Sequence, residues 1–195
     1  MAPAAHLPRV TEIPIAQAPT AEALVRSAAA GDEVAFVRLI SEHNAAMARV
    51  AFVITGEREA ASDAVQSAWT IAWRRFGSLR DATQVRSWLI AIAANEARQQ
   101  VRRRRRVVVV DISHAMDQTS KADSDNAAAL MDLERALRDL AVDDRRLLAL
   151  RFVADMESPE IARVLSMSAS GVRSRLARLL ERLRAQLAPA GVGPR

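Results

Sequence analysis

Arg98 and the unbroken run Arg102–Arg106 put six guanidinium groups into nine residues, with no acid among them. Further along, Arg173, Arg175, Arg178, Arg182 and Arg184 stand against Glu181 alone between Ala169 and Leu187. A guanidinium offers a planar fork of N–H donors. It binds phosphate oxygens, or the major-groove edge of guanine, through two parallel hydrogen bonds. The chemistry implied is recognition of a polyanion from two places in the chain. All but one of the 28 basic residues are arginine, Lys121 being the exception. Between the clusters, Asp111 to Asp144 hold nine acids against three bases. Basic ends around an acidic middle predict two contacts with a polyanion and one segment kept away from it.

Residues for bond-making chemistry are missing. The chain has no cysteine, and His6, His43 and His114 are scattered without metal-ligand spacing. No nucleophile–base pair or phosphate-cradling glycine loop is present. The expectation is therefore a protein that is not an enzyme and uses no cofactor or metal. The opening "MAPAAHLPRVTEIPIAQAPT" holds four prolines and no apolar run of signal-peptide length. No stretch approaches the roughly 18 apolar residues of a membrane span. A cytoplasmic location is expected.

The elements that must carry the arginines are helical. Alanine, leucine and arginine dominate while aromatics make up 4% of the chain, a balance that favours helix over strand. The prediction is an all-α protein of two small helical domains. Residues 1–20 read as a disordered extension. A first short helix ends near Gly31. Asp32 caps a second, with Phe36, Ile40, Met47, Val50 and Ile54 inward and Gly56 as its stop. A third spans about Arg58 to Phe76 with a buried stripe of Val65, Trp69, Trp73 and Phe76. "GSLRDATQV" (77–85) is a loop. A fourth helix starts near Val85, packs through Trp88, Leu89 and Ile92, and carries Asn95 and Arg98 into the arginine run. The four valines after it end that helix, because β-branched side chains lose rotamer freedom there. The acidic, aperiodic stretch 107–126 is a linker. Helical patterning resumes at 127 with Leu130, Leu133, Leu137 and Leu140, and a further helix covers about Asp143 to Val153.

The C-terminal stretch "ESPEIARVLSMSASGVRSRLARLLERLRAQL" has the layout of a helix-turn-helix. Ser158 caps a short helix with Pro159 in its first turn, and Ile161, Val164 and Leu165 form its apolar face. Ser168 or Ser170 then opens a longer helix whose Val172, Leu176, Leu179, Leu180 and Leu183 face inward. A solvated helical hairpin would share this outline; the basic bias over 169–187 favours a helix that enters a major groove.

Two segments together resemble one family. "SDAVQSAWTIAWRRF" with "RSWLIAIAANEARQQVRRRRR" resembles the first conserved domain of bacterial extracytoplasmic-function RNA polymerase sigma factors. "LRDLAVDDRRLLALRFVADMESPEIARVLSMSASGVRSRLARLLERLR" resembles their second. The resemblance implies a region 2 domain at 21–106, a linker at 107–126, a region 4 domain at 127–188 and a tail at 189–195. It implies that the chain binds core RNA polymerase and double- and single-stranded promoter DNA, with an anti-sigma factor as a further partner. Asp63, Gln66, Thr70 and Arg74 match the surface that grips the polymerase clamp helices. The loop at 77–86 with Arg80 and Arg86 matches the part that opens the minus-ten element, where capture of an unstacked base lowers the cost of melting. Asn95, Arg98, Gln99, Arg102 and Arg103 match positions beside the duplex upstream of it. Ser170, Arg173, Ser174, Arg175, Arg178 and Arg182 match the reader of the minus-thirty-five element. Consecutive helical residues lie about 100° apart, so two or three of Arg102–Arg106 are expected on phosphate, with the others solvated or turned to the polymerase.

Four positions depart from the family pattern. Ser166 stands at a turn position usually held by glycine, Gly171 where threonine is common, Gln99 where aspartate is common and Pro159 where an acid is. A free-standing helix-turn-helix regulator that binds operators as a dimer is the other reading, but it leaves the first domain's two faces without a use.

Overall fold

The computed structural model describes residues 19–108, 132–133 and 135–187, with 105–108 through the backbone alone. The expected extension up to residue 18, the linker from 109, Leu130 and the tail from 188 lie outside the described residues. Among the described residues every regular element is helical.

Local caps set the element ends. Thr20 Oγ1 accepts from the Ala23 N–H at 3.2 Å and opens α1 (Ala21–Ala29). Asp32 Oδ1 accepts from the Val34 and Ala35 N–H groups at 2.8 and 3.1 Å and opens α2 (Glu33–Thr55). Gly56, at φ 74°, closes α2 in the left-handed region where glycine meets no Cβ penalty. α3 (Arg58–Arg75) follows, then two single 3-10 turns, Phe76–Ser78 and Ala82–Gln84. α4 (Val85–Val108) is 24 residues long. The valines do not stop it at once. Val107 and Val108 remain helical, because two β-branched residues each cost only about half a kcal/mol in an established helix.

α2, α3 and α4 pack on one another, and α1 lies across α2 and both 3-10 turns. Small side chains let these helices approach closely: Ala61, Ala64, Ala68 and Ala72 of α3 and Ala93, Ala94 and Ala97 of α4 are all buried. Leu39, Met47, Val50, Ile54, Phe76, Leu89 and Ile90 fill the space between them. Two expectations are corrected. Trp73 is 36% exposed, not buried with Val65, Trp69 and Phe76, and Phe36 and Ile40 are only half-buried while Leu39 takes the core position. Apolar residues cover more than one face of α2, so its period alone does not say which face meets the core.

The C-terminal unit begins with α5, helical over 132–133 and 135–139. Ala136 and Leu140 are buried there, whereas Leu133, expected inside, is exposed. α6 (Val142–Leu148) runs directly into a π-helical turn, Ala149–Val153. α7 (Ser158–Leu165) starts one residue earlier than its sequence implies: Glu157 is the cap, its N–H donating to the Glu160 carboxylate at 2.9 Å. That puts Pro159, which has no N–H, where no intrahelical acceptor is available. α8 (Ala169–Leu187) is opened by Ser168, whose Oγ accepts from the Gly171 N–H at 3.0 Å. Ile161, Val172, Leu179 and Leu183 close the core of this unit as expected. The two units are not apart. α6 and the π-helical turn rest on α2, and α6 also meets α4, so one apolar cluster runs through both.

Candidate nucleic-acid interface

α3 presents Asp63, Gln66, Thr70 and Arg74 on its exposed side, but they do not share one surface. Gln66 and Thr70 line an open groove of about 1150 Å³ between α2 and α3, floored by Phe36, Val37, Ile40, Phe52, Trp69 and Trp73. Val37 is 61% exposed, and the Phe36 and Trp73 rings stand 4.6 Å apart on the groove wall. The Trp69 indole N–H donates to Asn44 Oδ1 at 3.0 Å, which satisfies its polar end as the ring is buried. Arg74 instead lines a smaller cleft of about 460 Å³ between α3 and α4 together with Asn95, Arg98 and Gln99. Asp63 is exposed and lines neither.

The residues assigned to the minus-ten side gather along α4 and the loop before it. Arg80, Arg86, Asn95, Gln99, Arg102 and Arg103 are exposed, and Arg98 is half-buried. Asp81 organises the loop: it accepts from the Thr83 N–H at 3.0 Å, the Thr83 hydroxyl at 2.6 Å and the Gln84 amide at 2.8 Å. These hydrogen bonds, the Thr83 hydroxyl first, hold its carboxyl below its ordinary value. In the arginine run, Arg104 turns back to pair with Glu57 at the start of α3, and Arg103 donates to Gln99 Oε1 at 3.3 Å. Arg104 is thus paired within its own module while its side chain stays 41% exposed. The side chains of Arg105 and Arg106 lie outside the described residues.

Sequence reasoning missed what α6 does to this surface. Arg98 grips both carboxylate oxygens of Asp143, Nε on Oδ1 and Nη2 on Oδ2 at 3.2 Å. Arg146 donates to Asn95 Oδ1 and, at 3.2 Å, to the Val164 carbonyl. Arg163 of α7 donates to Gln84 Oε1 at 2.7 Å. The Arg98 hydrogen bonds lower the Asp143 carboxyl from its ordinary value, partial burial opposes them, and the charges of Arg98, Arg146 and Arg102 add to the lowering. The same hydrogen bonds raise Arg98. Burial pushes the Arg146 guanidinium down to about 10, with the Arg98 charge adding to the effect and Asp143 opposing it. Asp143 and Asp144, counted in the acidic middle segment expected to stay away from the polyanion, are bound to arginines of α4 and α8. The signal was the adjacent pair Asp143–Asp144 followed by Arg145–Arg146 in a helical window.

On α8 the assigned residues divide. Ser170, Arg173, Ser174 and Arg178 are exposed. Arg178 donates from Nε to the Ser174 carbonyl at 3.3 Å, and Ser170 Oγ lies 3.1 Å from Ser168 Oγ. Arg175 is half-buried and donates twice to Asp144 Oδ1, at 2.9 and 2.7 Å, while Arg182 donates to Oδ2 at 2.9 Å. The Asp144 side chain is only 11% exposed. These two arginines brace α8 against α6. The turn between α7 and α8 holds Ser166 at φ 53°, ψ 49°, the left-handed conformation that its glycine-like position requires, at a cost on the order of 1 kcal/mol. A Cβ on Gly171 would stand 3.0 Å from Ser168 Oγ, so the glycine makes room for the cap of α8.

An exposed apolar groove, an arginine-bearing helix behind a polar loop, and a braced helix-turn-helix can together bind a protein partner and two stretches of DNA. The family model Sigma-70 region 2 matches residues 39–107, and Sigma-70, region 4 matches 130–183. The chain is 32% identical over 176 residues to the RNA polymerase sigma factor NccH of Alcaligenes xylosoxydans xylosoxydans, covering 85% of this chain and 94% of that protein. It is 30% identical over 163 residues to the ECF RNA polymerase sigma factor SigM of Mycobacterium tuberculosis, covering 82% and 81%. Among solved structures, CnrH in complex with the cytosolic domain of CnrY superposes with a TM-score of 0.64 at 26% identity, over 86% of this chain and 97% of that one. The sigma factor RpoE in complex with the anti-sigma factor NepR from Bartonella quintana shares the fold, with a TM-score of 0.64 at 24% identity, over 80% and 98%.

Proposed function

This chain belongs to the extracytoplasmic-function RNA polymerase sigma factors, and we propose a division of labour among its surfaces as it directs core polymerase to promoters. The module at 21–106 engages core polymerase and the minus-ten element, and the module at 127–188 engages the minus-thirty-five element. The groove between α2 and α3, with Gln66 and Thr70 on its rim and Asp63 beside it, takes the clamp helices of the polymerase. Apolar floor and polar rim are what a stable helix-in-groove contact needs. Arg74, in the neighbouring cleft, works with the DNA side of α4. Arg80, Arg86, Asn95, Arg98, Gln99, Arg102 and Arg103 serve the minus-ten side. Ser170, Arg173, Ser174 and Arg178 face the minus-thirty-five duplex, and Arg175 and Arg182 hold α8 in position for them.

The observation that carries this reading is the pair of sigma regions in order along one chain, each ending in an arginine-bearing helix. Among the described residues no helix is long and apolar enough to cross a membrane, and work beside the polymerase places the chain in the cytoplasm. It carries out no chemistry of its own; the polymerase does. An anti-sigma partner is proposed as well, supported by the solved relatives bound to CnrY and NepR.

Reconstitution with core polymerase tests the assignment. The full chain is expected to be retained by core polymerase and to move transcription to new start sites. Asp63→Arg combined with Gln66→Ala is expected to lose both. Purified chain that redirects the polymerase to no start site overturns the reading.

A further inference from the structure

The segment ahead of α1 lies outside the described residues, but its sequence has a period of its own. Ala4, Leu7, Val10, Ile13 and Ala16 recur at every third position, with Pro3, Pro8 and Pro14 spread among them. A polyproline II helix has three residues per turn, so this spacing puts five apolar side chains along one edge. An α-helix would scatter them around its axis, and the prolines would break it. The groove between α2 and α3 is the matching half. Of the chain's four Phe and three Trp, four line it: Phe36, Phe52, Trp69 and Trp73. Grooves walled by aromatic rings accept proline-rich segments, because a polyproline II segment is already ordered and loses little entropy on docking. We propose that, without polymerase, residues 1–18 lie in this groove as a polyproline II arm with the apolar edge inward, and that the clamp helices must displace it. This rests on the assignment of the groove made above, and it concerns the regulation of that site.

The arm is long enough. The 9 residues of α1 make about 14 Å of helix. From Ala29 the chain reaches Glu33, at one end of the groove, in four steps that span at most about 14 Å. The start of α1 therefore lies within about 30 Å of that end. Eighteen residues of polyproline II cover about 56 Å, which leaves about 25 Å to follow the groove. That is close to the length of α2 from Glu33 to Phe52, about 28 Å. Val37, Phe52 and Trp73 are exposed on the groove, and a covering arm removes this apolar surface from water. Its tether supplies an effective concentration on the order of millimolar, so weak intrinsic affinity suffices to keep the groove covered. The same weakness lets a larger partner displace it.

Trp73, on the groove wall, reports occupancy through its fluorescence. Acrylamide quenching of the full chain is read without polymerase, and affinity is then read against core polymerase. Val10→Asp with Ile13→Asp alters the apolar edge. Thr11→Asp with Gln17→Asp makes the same charge change on the edge that carries Pro8 and Pro14. The arm predicts stronger quenching and several-fold tighter polymerase binding for the first pair than for the second. Phe52→Asp disturbs the groove itself and should strengthen quenching likewise. Phe52 stands about four turns of α2 from Phe36, the ring beside Trp73, so a direct effect on the indole is avoided. Equal quenching in the two double variants overturns the arm. Shielding that falls on dilution of the protein places the arm on a second copy and overturns docking within one chain. Unequal quenching with equal polymerase affinity overturns the competition. The quenching readout needs no polymerase, and the groove's role in polymerase binding is judged separately by Asp63→Arg with Gln66→Ala, so the two failures give different patterns.

Discussion

α4 and α8 are both amphipathic helices with arginines along one side, yet the structure treats those arginines differently. On α4, Arg98 and Asn95 reach outward and are met by side chains from the other module. On α8, Arg175 and Arg182 are met by Asp144 within their own module, while Arg173 and Ser174 stay open to solvent. The first arrangement ties the proposed DNA side of α4 to the second module. The second fixes, within one module, the helix proposed to read the upstream duplex. An arginine on a DNA-binding helix is therefore not by that fact a DNA contact. Its neighbours decide whether it stays open to solvent, braces its own module or pairs with the other.

The sharpest way to separate the two uses is to remove the adjacent carboxylates one at a time. Asp144→Ala leaves Arg175 half-buried without its acceptor and is expected to cost about 3 kcal/mol, the low end for a broken buried pair because Arg182 is largely solvated. Asp143→Ala is expected to cost less than about 1 kcal/mol, as for other partly exposed pairs. Denaturant unfolding of the full chain measures both. Equal losses would erase the distinction between the pair within one module and the pair between the two.

Next in size is a split between neighbours on α8. Arg173→Ala should weaken binding of the polymerase complex to its upstream element by roughly 1–3 kcal/mol per lost base contact and relax sequence preference there, leaving the unfolding midpoint unchanged. Arg175→Ala should lower the midpoint and change preference little. Promoter binding across an element library, set beside unfolding curves, tells them apart; the reverse pattern would make Arg175 the reader.

The smallest effect concerns the turn that aims α8. Ser166→Gly relieves a left-handed serine and should stabilise the C-terminal unit by about 1 kcal/mol at most, part of the gain being lost to the freer unfolded chain. A higher unfolding midpoint with unchanged promoter preference is expected. No gain would mean that the surrounding turn already offsets the strain.

Much of this was legible in the sequence because it is local. Asp32, Gly56 and Ser168 act on backbone groups within four residues of themselves, and their types announce it. The helix-turn-helix was legible for the same reason. What could not be seen depends on what lies across a gap. Trp69 and Trp73 are one turn apart on the same stripe, yet one is buried and the other walls a groove, since period does not reveal how far a neighbouring helix reaches. Asp143 and Asp144 are consecutive acids whose partners lie 45 and 31 residues away. Arg173 and Arg175 differ by two positions and not at all in type; only packing against α6 separates them.

The two aspartates sit side by side on one helical turn, about 100° apart around its axis. Asp143 reaches across to Arg98 of α4 while Asp144 holds Arg175 and Arg182 of α8. A single turn of α6 therefore sets both how the C-terminal unit meets the first module and how α8 sits within its own, and a change in that turn would be felt at both.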